Sequence, residues 1–164
     1  MKVIKTSISD LVIIEPKVFD DERGYFMESY QKNRYKQLVT EDTFVQDNFS
    51  KSTKGVLRGL HFQKFKPQGK LVSVIEGEVL DVAVDLRLES KTFGLHETFK
   101  LTAAKHNQLF LPPGFAHGFV VLSDYAIFHY KCTDFYDPDD EGGILWNDPE
   151  LDIDWRVNNP MVSS

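Results

Sequence analysis

Eleven residues, EVLDVAVDLRL at positions 78–88, limit what the chain can fold into more than any other stretch. If its side chains alternate, as along a strand, Leu80, Val82, Val84 and Leu86 share one face. Asp81, Ala83, Asp85 and Arg87 then share the other. A polar face on so hydrophobic a strand is either solvated or turned into the lumen of a barrel, and this segment alone weighs the two equally. Residues 70–76 read as a neighbouring strand, joined to it by a tight turn at Glu76-Gly77-Glu78. Further on, Ala126, Phe128 and Tyr130 alternate with Ile127, His129 and Lys131. One helical candidate stands out, residues 29–39, where Tyr35, Leu38 and Val39 form a short apolar stripe. The remainder is short strands broken by Gly, Pro, Asp and Asn. Such a pattern predicts a mainly β fold, an antiparallel jelly-roll barrel with one or two short helices, in a single domain over 1–164.

Composition agrees. Thirteen Phe, six Tyr and two Trp favour packing on half-buried pleated surfaces. A net charge of −6 speaks against a general nucleic-acid binder, which carries a basic face, but not against a nucleotide ligand. A few placed Arg and Lys suffice for a pyrophosphate. Cys132 is the single cysteine, so an intrachain disulfide is impossible and a reducing cytoplasm is the expected home. The opening MKVIKTSISDLVII is interrupted by Ser and Asp and does not read as a signal peptide. No apolar run reaches membrane-spanning length, so no membrane partner is expected.

Reactive groups concentrate in three segments: FVQDN at 44–48, GVLRGLHFQ at 55–63 and PGFAHG at 113–118. The Pro-Gly-x-x-His of the third resembles the second half of the cupin signature. The first half of that signature supplies two His one residue apart and then an acid. Here Gln63 stands in place of the second His, and Lys70, seven positions before Gly77, takes the place of the acid. An ammonium group opposes a divalent metal, which needs neutral His and anionic carboxylates. The pattern is that of a cupin pocket whose metal has been replaced by a cation. An enclosed ammonium can stabilise an oxyanion, a His can take a proton near neutral pH, and a Tyr can give one. Together they suit proton abstraction beside a ketone through an enolate.

Each residue also has a plainer reading. His61 alternates with Gly59 and Gln63 on an unusually small, polar face, which favours function; His96, His106 and His129 lack such context and read as surface or packing residues. In isolation Tyr130 reads as core beside Phe128, and Lys70 as a solvated strand end. Regular alternation puts Arg58 and His61 on opposite faces. A bulge at Gly59 could bring them together, or one of them could serve a neighbouring subunit.

At these residues the chain resembles the dTDP-4-dehydrorhamnose 3,5-epimerases. The run FVQDNFSKSTKGVLRGLHFQ is similar to that family's motif, as are QGKLV, GEVLDVAVDLR, SKTFG, LPPGFAHGF, HYKCTDFY and ILWNDPELDIDW. The resemblance runs in family order from about Val3 to Trp155. It implies a cupin-type jelly-roll homodimer that acts without metal or organic cofactor on a dTDP-linked 4-keto-6-deoxyhexose, in deoxysugar and polysaccharide biosynthesis. By the same resemblance His61 is the base at C3 and C5, Tyr130 the acid on the opposite face, and Lys70 the stabiliser of the C4 enolate oxygen, with Asp85 as a partner in the charge network. Arg23 and Glu28, from the Glu-Arg-Gly-Tyr-Phe-Met-Glu motif, join Gln46, Asp47, Asn48, Arg58, His117 and Glu141 in nucleotide binding, and Tyr136 stacks on thymine.

Three departures from the family pattern bear on this. Phe49 follows Gln-Asp-Asn where His is frequent, and Ser73 follows Lys-Leu-Val where Arg is frequent; both are expected to change contacts near the site. Family members continue past a Pro-x-Leu-Ser segment into a Lys-Asp pair whose Asp orients the catalytic His; the expectation is that this sequence stops just short of it. Rival readings are epimerisation at C3 or C5 alone, a non-catalytic sugar-nucleotide-binding module, and a nucleotide other than dTDP. A metal-dependent oxygenase is disfavoured by Lys70.

Overall fold

The computed structural model describes residues 1–163. The chain opens with β1 (Lys2–Lys5) and β2 (Val12–Glu15), then a hairpin of β3 (Val18–Asp21) and β4 (Gly24–Met27), then α1 (Lys32–Leu38). The strands β5 (Gln46–Thr53), β6 (Leu57–Gln63), β7 (Lys70–Glu76), β8 (Glu78–Asp85) and β9 (His96–Thr102) follow. The series ends with β10 (Gln108–Leu111), β11 (Phe115–Val121), β12 (Tyr125–Cys132) and the short β13 (Glu141–Gly143). One antiparallel sheet runs β1-β2-β10-β7-β12-β5 and a second runs β13-β6-β11-β8-β9. They face each other as the two layers of a jelly roll.

The interior between the layers is filled by Val72, Val74 and Phe128 of the first sheet against Val79, Ala83 and Phe119 of the second. Phe119 and Phe128 stack at 4.1 Å between centroids. Strand β8 resolves the ambiguity of its polar face, because Asp81 and Asp85 are both 0 % exposed and that face looks inward. Its apolar face, Leu80, Val82 and Val84 with Leu86 beyond the strand end, packs outward beneath Trp155, Trp146 and Ile153 of the C-terminal segment. Both faces are therefore covered. The strand stops at Asp85 rather than at Leu88, because the Asp85 carboxylate accepts hydrogen bonds from the Arg87 amide and guanidinium and from the Ser90 and Thr92 hydroxyls. These bonds turn the backbone into a loop.

The helix is shorter than its apolar stripe suggested. Gln31 caps it through its side chain, and the Ser29 carbonyl is already engaged by the Tyr35 hydroxyl and the Gln108 amide. Tyr35 is buried as expected and Val39 packs partly buried against the same cluster, but Leu38 is 49 % exposed. Gly77 makes the expected tight turn: with φ of +83°, a Cβ there would lie 2.2 Å from the Tyr125 carbonyl oxygen.

Candidate active site

A cleft of about 620 Å³ opens between the layers, and both sheets line it. Its walls follow from strand alternation. On β12, Phe128, Tyr130 and Cys132 point inward while His129 and Lys131 point out. On β5, Gln46 and Asn48 enter the cleft, and Asp47 and Phe49 lie on the opposite side of the sheet.

The β6 wall depends on a bulge. His117 pairs with His61 and Phe119 pairs with Arg58, so three residues of β6 span two of β11. The extra residue restores Arg58 and His61 to one face, and both line the cleft. Gly59 makes this possible: its φ is +119°, and a Cβ there would sit 2.4 Å from Gly118 Cα. The bulge considered from sequence is thus present, and Arg58 and His61 of one chain share one cleft.

His61 is about half exposed, and its Nδ1 lies 3.1 Å from a Glu141 carboxylate oxygen. Partial burial pushes its pKa below the ordinary value; Glu141 opposes that push, while Lys70, His117 and Arg58 add to it. Lys70 lies deep in the cleft, and its ammonium forms no ion pair among the described residues. Burial pushes its pKa down, against the attraction of Cys132, Asp81 and Glu141. Tyr130 enters from the same sheet, its pKa raised first by burial. Its ring also rests against Phe128 at 6.1 Å, so the core reading and the site reading hold together. His117 is buried, with Nε2 3.0 and 2.9 Å from the two oxygens of Asp81.

A second set of bonds fixes the rim. The Arg58 Nε donates to Ser52 Oγ at 3.0 Å. Gln46 donates to Asn48 and accepts from the Tyr136 amide, while Gln63 accepts from the Asp137 amide and donates to the Lys66 and Phe135 carbonyls. Asp140 receives the amides of Phe65 and Lys66. The Tyr136 hydroxyl donates to Glu141 at 3.0 Å.

Of the residues singled out from sequence, His61, Lys70, Tyr130, Gln46, Asn48, Arg58, His117, Tyr136 and Glu141 all line this cleft. Four do not. Asp85 is taken up by Arg87, Ser90 and Thr92, so the buried acid on the inward face of β8 that touches a cleft residue is Asp81, two residues earlier, through His117. Asp47 lies across the sheet, bonded to Lys131 at 2.8 Å and facing His129 at 3.3 Å. Partial burial raises its pKa, but the hydrogen bond and charge of Lys131, aided by His129, outweigh it and hold the carboxyl low. Arg23 pairs with Asp21 on the exposed β3–β4 hairpin, and Glu28 pairs with Arg34. The two substitutions expected to alter the site, Phe49 and Ser73, likewise line a separate hollow of about 480 Å³ on the outer sheet face, with His129 and Ile75. Strand alternation separates them from the cleft.

Sequence reasoning missed Asp81 as the partner of His117, Gln63 and Asp140 as fasteners of the rim, and Cys132 as a wall residue. The inward face of β8 held the signal for Asp81; the replacement of a ligand His by Gln63 held the signal for an amide that binds backbone. Among the described residues, no three His, Cys, Asp or Glu side chains group as a metal site requires. None of the described helices is long and apolar enough to cross a membrane.

The sequence model of the family described as dTDP-4-dehydrorhamnose 3,5-epimerase matches residues 5–164. The chain is 57% identical over 167 residues to the dTDP-4-dehydrorhamnose 3,5-epimerase of Salmonella typhimurium, covering 100% of this chain and 91% of the relative. A crystal structure of a dTDP-6-deoxy-D-glucose-3,5-epimerase from Legionella pneumophila, in complex with dTDP-4-keto-L-rhamnose, superposes with a TM-score of 0.96 at 54% identity, over 99% of this chain and 87% of that one. A dTDP-4-dehydrorhamnose 3-epimerase of Streptomyces niveus is more distant, 36% identical over 99% of this chain and 80% of the relative.

Proposed function

The chain belongs to the dTDP-4-dehydrorhamnose 3,5-epimerase family, and we propose that it inverts C3 and C5 of a dTDP-linked 4-keto-6-deoxyglucose to give dTDP-4-dehydro-L-rhamnose. One observation carries this reading: His61 enters the cleft from one sheet, Tyr130 enters from the other, and the partly buried Lys70 lines the same cleft.

Neutral His61 takes the proton from C3, and the electron pair moves onto O4 to form an enolate. The Lys70 ammonium, in an enclosed site of low dielectric, offsets that charge. Tyr130 gives its phenolic proton to C3 from the opposite side, so the carbon is inverted rather than restored. Imidazolium and phenolate then return to their starting states by exchange with solvent, and the sequence repeats at C5. Arg58 supplies a guanidinium for the pyrophosphate, and the exposed Tyr136 ring a platform for the base.

Arg23 and Glu28 lie outside the chain's own cleft, on and just after a hairpin that exposes Phe19, Tyr25 and Phe26 at 52, 57 and 70 %. A homodimer accounts for both facts, since a second copy would cover the rings and bring the hairpin to a neighbouring cleft. The lone Cys132 fits a reducing, cytoplasmic setting.

The test is incubation with dTDP-4-keto-6-deoxyglucose in deuterated water, followed by proton NMR. Loss of both the C3 and C5 signals with formation of the L-rhamno product is expected. Exchange at C3 alone would give a monoepimerase instead. No exchange by a sample that binds dTDP would leave a binding role.

A further inference from the structure

Between β12 and β13 the chain forms neither helix nor strand, yet four consecutive residues there are each held by a glutamine side chain. The Asp134 carbonyl accepts from Gln68 Nε2 at 2.8 Å, and the Phe135 carbonyl accepts from Gln63 Nε2 at 3.3 Å. The Tyr136 amide donates to Gln46 Oε1 and the Asp137 amide to Gln63 Oε1, both at 2.9 Å. These glutamines come from β5, from the end of β6 and from the β6–β7 connection, and all of them line the cleft. Gln63 therefore brackets Tyr136, binding the residue before it and the residue after it. A further bond, from Gln63 Nε2 to the Lys66 carbonyl at 2.8 Å, ties the same amide to its own side of the cleft. Gln63 is 6 % exposed and Tyr136 is 51 % exposed, so an open ring stands on a backbone fastened from beneath.

We propose that Gln63 is the positioning residue for the Tyr136 ring, supported by Gln68, and that this clamp sets how tightly the cleft takes the nucleobase. The clamp has this role only if Tyr136 carries the base, as proposed for the reaction. A base stacks well on a ring held at one height and tilt. A loop with unfastened backbone would have to be ordered at each binding event, at a cost in conformational entropy. The bonds to Gln46, Gln63 and Gln68 order this loop before the nucleotide arrives.

Amides suit the task for two reasons. One carboxamide accepts from an N–H and donates to a C=O at once, which neither a carboxylate nor an ammonium can do. It also adds no net charge to a cleft where Arg58 and Lys70 are to meet an anion. The place where the cupin pattern puts a second metal-binding His thus holds, in this chain, an amide that binds the chain's own backbone.

The experiment is calorimetric titration of dTDP, and separately of inorganic pyrophosphate, into the native chain, Gln63→Met, Tyr136→Ala and the double variant. Tyr136→Ala should weaken dTDP about 10- to 100-fold, the loss of one stacked base. Gln63→Met should weaken it about 5- to 10-fold, while pyrophosphate, which has no base, binds all four proteins alike. In the Tyr136→Ala background Gln63→Met should add less than about twofold, because its effect passes through the ring. With the sugar nucleotide as substrate, KM of Gln63→Met should rise by the same factor and kcat change far less. A general loosening of the cleft would instead weaken pyrophosphate too, and would multiply with Tyr136→Ala. Either result overturns the proposal, as does native dTDP affinity in Gln63→Met. Should Gln63→Met fail to fold, Gln68→Met decides, since it removes one of these bonds rather than three. Its dTDP affinity should fall about 2- to 5-fold, and only while the Tyr136 ring is present; an unchanged affinity overturns the proposal. If Tyr136→Ala itself binds dTDP as the native chain does, the platform reading fails and the proposal falls at its premise.

Discussion

At the scale of single residues, the cleft works by placing ionisable groups where water is scarce. Burial pushes His61 below the ordinary histidine range, so its neutral, proton-accepting form persists to more acidic pH than that of a free imidazole. The acid limb of the kcat/KM profile is accordingly expected below about pH 6.5, the unperturbed value. A limb above it would mean that Glu141 outweighs burial. In the proposed reaction Lys70 acts only once charge develops on the sugar oxygen, so Lys70→Met is expected to lower exchange about 100- to 1,000-fold while dTDP binding, read by calorimetry, persists. Asp85 provides a contrast. Hydrogen bonds from Arg87, Ser90 and Thr92 overcome burial and hold its carboxyl well below the usual range. A depressed pKa contributes stability that is full above the unfolded value, about 3.9, and is lost as pH falls through the folded value. Thermal melts should therefore show Asp85→Asn less stable than the native chain at pH 7, with the gap narrowing as pH drops below 4, while activity of the folded fraction is kept. Equal Tm values at pH 7 would show that the loop closes without this charge.

Single elements decide which of these residues can meet. Period-two alternation is legible in sequence, and in the structure Gln46 and Asn48 of β5 and Phe128 and Tyr130 of β12 reach the cleft on alternate residues. The same rule excludes Asp47, Phe49 and Ser73 from the cleft, although a shared motif had grouped them with it. Motif proximity carries no facing information; alternation does. What alternation could not decide was Arg58, because a bulge adds one residue and reverses the parity of everything beyond it. Nor could it decide which side of β8 looked inward, since both sides are buried, one by the opposite sheet and the other by a segment some seventy residues later. Gly59 is the pivot of the β6 bulge. Gly59→Ala forces a methyl into the Gly118 backbone at an unfavourable φ, and a loss of about 2–4 kcal/mol in urea denaturation is expected. Gly24→Ala, whose added Cβ would meet nothing within 4 Å, serves as the control for positive φ alone.

Across the whole molecule, two sheets form a rigid frame whose cleft is lined from both sides, and the C-terminal segment seals the outside of the second sheet. Trp155 is 3 % exposed and donates its indole NH to the Trp146 carbonyl at 2.7 Å. Trp155→Ala is expected to cost about 3–5 kcal/mol and to lower Tm while leaving the KM of the folded fraction unchanged. The jelly roll was readable from short alternating strands and turns, whereas the pairing of distant strands, such as β7 between β10 and β12, is set by tertiary packing that local pattern does not encode. The central claim concerns that frame: the base and the acid approach the sugar from opposite layers. Tyr130→Phe in deuterated water tests it most directly. The account predicts that His61 still removes protons, so deuterium enters C3 with the original configuration kept and little inverted product. Inversion continuing near the native rate in Tyr130→Phe, or deuterium entry surviving in His61→Asn, would contradict it.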